Sequence, residues 1–323
     1  MTPIQFQNQY QAEWAELSAL LARVRENRSR RAAADIPGER LASLYRRACE
    51  QLSLARDRAY PAHLVDQLLK LTDEAHQYIY QQRDLGWRRL LRLLRCDFPC
   101  AVRAHHGYVW LAATLFTAPA LILGILVYLR PELILSVVDA DTAAQFESMY
   151  SKAADSIGRV RAADTDLKMF GFYIRNNITV AFQCFAGGLF AGIGSIFYLA
   201  FNGAEGGAVA GYLSERNLQQ TFFSFVVTHS AFELTAIVLS GGAGLRLGHA
   251  LLAPGRSTRL QSLVGASRES VVVIYGVAAM LLVAAGIEAF WSSATMIAPA
   301  VKYAVGALCW LGVLSYLTLQ GRK

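Results

Sequence analysis

Apolar positions along this chain follow two different patterns, and the change comes near residue 106. Before it, hydrophobic residues are spaced as on helices that bury only one face. From Trp14, the positions Leu17, Leu20, Leu21 and Val24 predict a first helix, which the arginines at 28 to 31 and the break Ile36-Pro37-Gly38 bring to an end. Leu41, Leu44, Tyr45, Ala48, Leu52 and Ala55 share a face as far as Tyr60-Pro61, and Leu64, Val65, Leu68, Leu71, Ala75, Tyr78 and Ile79 share another. Residues 1–86 are therefore expected to form a small bundle of amphipathic helices in water.

After residue 106 the apolar runs become long enough for a bilayer, which needs about 20 residues per crossing. Gly107 to Leu129 is the first, with Tyr108, Trp110 and Tyr128 at its ends, where aromatic residues favour the water boundary. Residues 130–173 are polar, hold more acids than bases and carry a helical stretch around Ala143 to Ile157. They are expected on the extracytoplasmic side. Ile174 to Leu213 is too long for one crossing, so it is read as Asn176 to Gly188 descending and Leu189 to Tyr212 returning, the second interrupted at Asn202-Gly203 and Gly206-Gly207. Gln219 to Leu252 crosses next, with a break at Gly241-Gly242-Ala243-Gly244. Val271 to Phe290 and Ile297 to Leu319 close the chain as a hairpin.

The expected fold is all-α: a polytopic membrane protein with about six transmembrane helices over 107–323, some broken, behind a cytosolic helical bundle. This count leaves Arg256, Arg259 and Arg268 in the cytoplasm, in line with the excess of basic residues on that side. A count of about five would strand them outside. The run from Trp87 through Arg88, Arg92 and Arg95 interleaves arginines with leucines, as in a helix lying at the membrane interface; a solvated helix of the bundle accounts for it equally well. With Arg103, this basic stretch over 87–106 marks the cytoplasmic side. Met1 to Trp14 lacks the apolar core of a signal peptide, which predicts a cytoplasmic N-terminus.

Composition refines this picture. Among 323 residues, 54% are hydrophobic and 17% charged, with a net charge of +7. Basic charge could suit nucleic acid, but the arginines lie beside apolar spans, where they set topology and meet anionic lipid, so nucleic acid is not an expected partner. Five cysteines, Cys49, Cys96, Cys100, Cys184 and Cys309, form no disulfide framework. Cys96 and Cys100 with His105 and His106 have the residue types of a zinc site, although a basic, aromatic approach to a membrane span explains them without metal.

The candidate chemistry sits among the apolar segments: Asn176, Asn177, Asn202, His229, Glu233 and Glu288. Polar groups at membrane depth are costly to leave unpaired, which makes them candidates for function. His229 and Glu233 are four apart and share a helix face. The leading reading is structural, the two pairing with each other and with Asn202 or Asn177 on neighbouring helices. A second is an ion-coupled transport or lipid-handling path. A third is metal-assisted hydrolysis using His229, Glu233 and Glu288, although the zinc-peptidase H-E-x-x-H pattern and the G-x-S-x-G elbow are both missing. No cofactor and no metal are expected.

The residues Tyr45-Arg46-Arg47, Tyr60-Pro61, Phe98-Pro99, Arg103, Tyr173-Ile174-Arg175-Asn176-Asn177 and Asn202-Gly203 resemble the stage II sporulation protein M family. So do the stretch from His229 to Ala236, Gly241 to Gly248, Pro254-Gly255, Arg259 and the stretch from Glu288 to Ser293. The chain is most similar to the long form found in bacteria that do not sporulate. The resemblance implies a bacterial cytoplasmic-membrane protein without catalytic activity of its own, an organiser of peptidoglycan-acting enzymes in cell-envelope remodelling. For the long form it implies partners among MoxR-type ATPases and von Willebrand factor A-like proteins. A homo-oligomer is compatible with it.

Overall fold

The computed structural model describes residues 1–29, 38–80, 87–151, 166–294 and 296–322. Parts of two expectations, the Ile36-Pro37 break and the helix around 143–157 beyond Ser151, lie outside the described residues. Among those described, every element is helical. The chain divides into two compact units, Met1–Trp87 and Arg88–Lys323.

The first unit is built from α1 (Pro3–Ser29), α2 (Gly38–Asp57) and α3 (Ala62–Tyr80). Leu17, Leu21, Leu41, Leu44, Ala48 and Ala75 form one core cluster, and Phe6, Trp14, Leu52, Ala55, Leu64 and Leu68 form a second. The helix α1 starts well before Trp14. Phe6 is its inner anchor, in edge contact with Tyr10 and Tyr60, and its polar neighbours mask it in the sequence. The buried Trp14 indole donates to Gln51 Oε1 at 2.6 Å, so this polar group in the core is satisfied. Pro61 opens α3, where a missing backbone N–H costs nothing.

The second unit begins with α4 (Trp87–Arg92), which continues through a π-helical turn (Leu93–Asp97) into α5 (Phe98–Ala104). The long helices follow: α6 (His106–Leu129), α8 (Asp166–Ala186), α9 (Ile193–Glu215), α10 (Gln219–Leu252), α11 (Arg259–Gly286, prolonged by a π-helical turn Ile287–Ser292) and α12 (Pro299–Leu319). Between α6 and α8 lies the short α7 (Ala140–Tyr150), opened by Asp139, whose carboxylate accepts from the Thr142 N–H at 2.8 Å. Thr258 and Gln261 close a reciprocal capping box that starts α11.

Among the described residues, four helices are long and apolar enough to cross a membrane: His106–Leu129, Gln219–Leu252, Arg259–Ser292 and Pro299–Leu319. On α6, Leu121, Ile122, Ile125, Leu126 and Leu129 are exposed, as expected of side chains that meet lipid. The helices α8 and α9 form a hairpin through Gly187–Leu189, with Gly192 in the left-handed region (φ 86°) at the start of α9.

The glycine-rich stretches do not break the helices, contrary to expectation: α9 runs through Asn202-Gly203 and Gly206-Gly207, and α10 through Gly241–Gly244. Glycine lowers helix propensity by only about 1 kcal/mol, and tertiary packing outweighs it. These residues are small because backbones cross over them. A Cβ on Gly203, Gly207 or Gly211 would stand 2.1, 2.0 and 2.1 Å from the carbonyl oxygens of Phe116, Ala120 and Gly124 respectively. The matching four-residue steps show that α9 lies parallel to α6 at backbone contact.

Candidate functional site

A polar pocket occupies the end of the second unit where α7 lies. His229 and Glu233 stand one turn apart on α10, which directs both to the same side. The π-helical turn after α11 brings Glu288 and, four residues on, Ser292 toward them; such single wide turns often mark functional positions. One donor atom from each of His229, Glu233 and Glu288 lies within 4.8 Å of the other two. His229 is 5% exposed, Glu288 9% and Asn177 2%.

The bonding is incomplete. His229 Nδ1 is 3.0 Å from Ser292 Oγ, while its Nε2 is 3.9 Å from Glu233 Oε2, too long for a hydrogen bond. His229 and Glu233 therefore stand at the long end of ion-pair distance, as the four-residue step led one to expect, and the histidine's hydrogen bond is made to a serine on another helical segment. Asn176 Nδ2 donates to Asn177 Oδ1 at 3.0 Å, and Asn177 lies against both carboxylates. Even so, Asn177 Nδ2 and Glu288 Oε2 are buried with no hydrogen-bond partner. Each such atom costs about 1–3 kcal/mol.

In front of the carboxylates lies a cavity of about 760 Å³, lined by Tyr150, Tyr173, Asn176, Asn177, Glu233 and Glu288 among others. Burial, and after it the nearby charges led by Glu288, push the Tyr150 phenol at the end of α7 well above its usual range, so it stays protonated.

Asn202 is not part of this site. Its Nδ2 donates to its own helix, at Tyr198 O 2.7 Å away. A residue outside the expected set takes a place beside it: Lys302 on α12, fully buried, whose Nζ donates to the Ser292 carbonyl at 2.7 Å. The signal for Lys302 was present, since an ionisable residue one turn into an apolar span is unusual.

A scan of protein-family models finds Stage II sporulation protein M over residues 112–293, more than half of the chain. The chain belongs to that family. The match ends at Ser293, so the family segment contains His229, Glu233, Glu288 and Ser292, and leaves out Lys302. A separate model, described as a domain of unknown function, matches residues 4–81 and coincides with the three-helix unit. No curated protein and no solved structure matches.

Of the remaining candidates of this stage II sporulation protein M family member, Trp87 closes the first unit, and the arginines lie at the opposite end of the second. Trp87, Arg92 and Arg95 are exposed, and Arg92 is 3.7 Å from Asp97. The structure places Arg88 in α4 without a described side chain. Arg103 is half-buried and donates to the Leu317 carbonyl at 2.8 Å, tying α5 to the last turn of α12. That is a helix-end contact of the kind that suits a cation.

Among the described residues, Cys96, Cys100, His105 and His106 do not gather into a metal-ligating group. Cys100 instead meets the Gly321 carbonyl and Arg103, both at 3.3 Å. His105 faces Glu269, which also pairs with Arg246. Burial, and then the Arg246 charge, hold the His105 pKa below its ordinary value against the opposing pull of Glu269.

Proposed function

We propose that this protein is a membrane organiser without chemistry of its own, holding partner proteins on the two faces of a bacterial cytoplasmic membrane during cell-envelope remodelling. The observation that carries this reading is modular. A three-helix unit with its own two-part core and its own family model precedes a membrane unit of a different family. Exposed ion pairs such as Arg40–Glu16 and Arg47–Glu13 on the helical unit leave a charged surface suited to partner binding. MoxR-type ATPases and von Willebrand factor A-like proteins are the partners proposed for it, and peptidoglycan-acting enzymes for the opposite face.

In this reading six helices cross the membrane. The α8–α9 hairpin supports the count, because α9 lies parallel to α6 over the same depth and α8 packs along α10 through the bond from Ser240 Oγ to Ala181 O at 2.6 Å. Arg256, Arg259 and Arg322 then share one end with α5, which is taken as cytoplasmic. Affinity capture from native membranes tests the reading. The full chain should retain an ATPase or a peptidoglycan-acting enzyme, and deletion of residues 1–80 should release the former while leaving the protein inserted. Equal capture by both forms would overturn it. Reporters at residues 60 and 262 and at the C-terminus should report the cytoplasm, and one at residue 150 the opposite side.

The cavity and its unpaired polar atoms favour one second reading, transport or lipid handling. Proton uptake into vesicles that depends on Glu233 would separate it from the organiser.

A further inference from the structure

Among the buried polar side chains of the second unit, one group gathers around a cavity with its bonding unfinished. We propose that His229, Glu233 and Glu288 form a binding site for a single divalent first-row transition-metal ion of the Zn²⁺ type, open to the cavity beneath α7. The proposal goes beyond the organiser reading and does not depend on it.

The geometry is that of a site before closure. The three donor atoms lie within 4.8 Å of one another, with His229 Nε2 and Glu233 Oε2 at 3.9 Å. Ligands at about 2.0–2.1 Å around a tetrahedral ion stand about 3.4 Å apart, so side-chain rotation of the carboxylates, without backbone motion, completes the approach. The histidine is already oriented. Its Nδ1 is engaged by Ser292 Oγ at 3.0 Å, which turns Nε2 toward the acids. Histidine ligands to metals are held this way by a second partner on the far ring nitrogen.

Charge supports the same occupant. Two carboxylates this close repel one another in a buried site, and an ion of charge +2 neutralises both. Lys302 does not fill that role, because its ammonium donates to the Ser292 carbonyl, and among the described residues it forms no ion pair with either acid. Glu288 Oε2 is buried and lacks any hydrogen-bond partner, an atom that metal ligation would satisfy. Asn177 Nδ2, also unpartnered, is placed to hold a carboxylate once it turns toward the ion.

Access and identity follow from the surroundings. Glu233 and Glu288 line the cavity of about 760 Å³, which supplies an entry path and room for water on the open side of the ion. One imidazole with two carboxylates, and no thiolate, suits Zn²⁺ or Mn²⁺ and disfavours Cu(I), while the imidazole disfavours Mg²⁺ and Ca²⁺.

The test uses the untagged full chain in detergent, stripped with a chelator and titrated with Zn²⁺ by calorimetry. One ion per chain should bind at this site without competition from excess Mg²⁺. Glu233→Gln and Glu288→Gln should each weaken that binding by about 100-fold or more, and Ser292→Ala by about 10- to 100-fold through the loosened imidazole. The double variant Cys96→Ser/Cys100→Ser should bind as the parent does. Unchanged affinity in the two glutamine variants, or loss of binding in Cys96→Ser/Cys100→Ser, would overturn the proposal.

Should the glutamine variants not fold, Co²⁺ added to the unmodified protein decides the matter. Visible d–d bands of nitrogen and oxygen ligation support the site. A thiolate charge-transfer band, or no change in spectrum, sinks it.

Discussion

Two seams inside the second unit handle the same problem, helices meeting in an apolar medium, in opposite ways. Along α6 and α9 the side chains vanish: Gly203, Gly207 and Gly211 let backbone carbonyls approach to where a Cβ would stand. Where α8, α10 and the turn after α11 meet, the chain instead keeps a histidine, two glutamates and two asparagines around open space, with polar atoms left unpaired. Lipid supplies no hydrophobic force between helices, so close packing is what holds the first seam together. The second gives up that packing at a cost of a few kcal/mol, which a fold tolerates where something else is served.

The comparison can be broken first at the glycine seam, where the largest effect is expected. Gly207→Val places atoms on the Ala120 carbonyl and should lower the folded yield in detergent on the order of tenfold, an effect in the range of severe overpacking. Gly206→Ala, one position away and facing open space, should leave the yield unchanged. Equal damage from both would mean that helix propensity, and not contact with α6, governs the seam.

At the polar seam, Lys302 separates volume from charge. Lys302→Ala should cost about 2–4 kcal/mol by opening a cavity, whereas Lys302→Met, which keeps the volume, should stay within about 1 kcal/mol of the parent in denaturant unfolding. A methionine variant as unstable as the alanine one would show that the bond to the Ser292 carbonyl matters more than the packing.

A smaller effect is expected from Glu288→Leu in metal-stripped protein. Removing a buried acid with an unpartnered oxygen should leave the thermal midpoint unchanged or raise it, while any Zn²⁺-dependent gain disappears. A marked fall in the stripped state would mark Glu288 as a packing element of the fold. The smallest effect belongs to Trp291, whose indole N–H is buried and unpartnered. Trp291→Phe should shift stability by no more than about 0.5 kcal/mol, since relief of the unpartnered donor is offset by the ring packing that the smaller side chain gives up.

The sequence determined on its own what depends on neighbours along one helix. The spacing of Leu41 through Ala55 and of Leu64 through Ile79 placed α2 and α3, apolar length placed the four spans, and the four-residue step placed His229 and Glu233 on one face. It misled where a local preference met tertiary packing. Glycine runs suggested broken helices that neighbouring backbones keep whole, and Phe6 was hidden among polar residues that face water on the other side of α1.

Only the tertiary structure decided which polar groups meet. Asn202 and Asn177 are equally plausible members of a polar core when read in the chain, yet one bonds back to Tyr198 on its own helix and the other lies against two glutamates. Lys302 and Ser292, ten residues apart across the α11–α12 turn, complete the surroundings of His229. The physical reason is that periodicity fixes a residue's angle on its own helix, whereas its partners depend on the depth and rotation of that helix against the others. Backbone contacts such as Gly207 on Ala120 set those two quantities, and no spacing within a single segment encodes them.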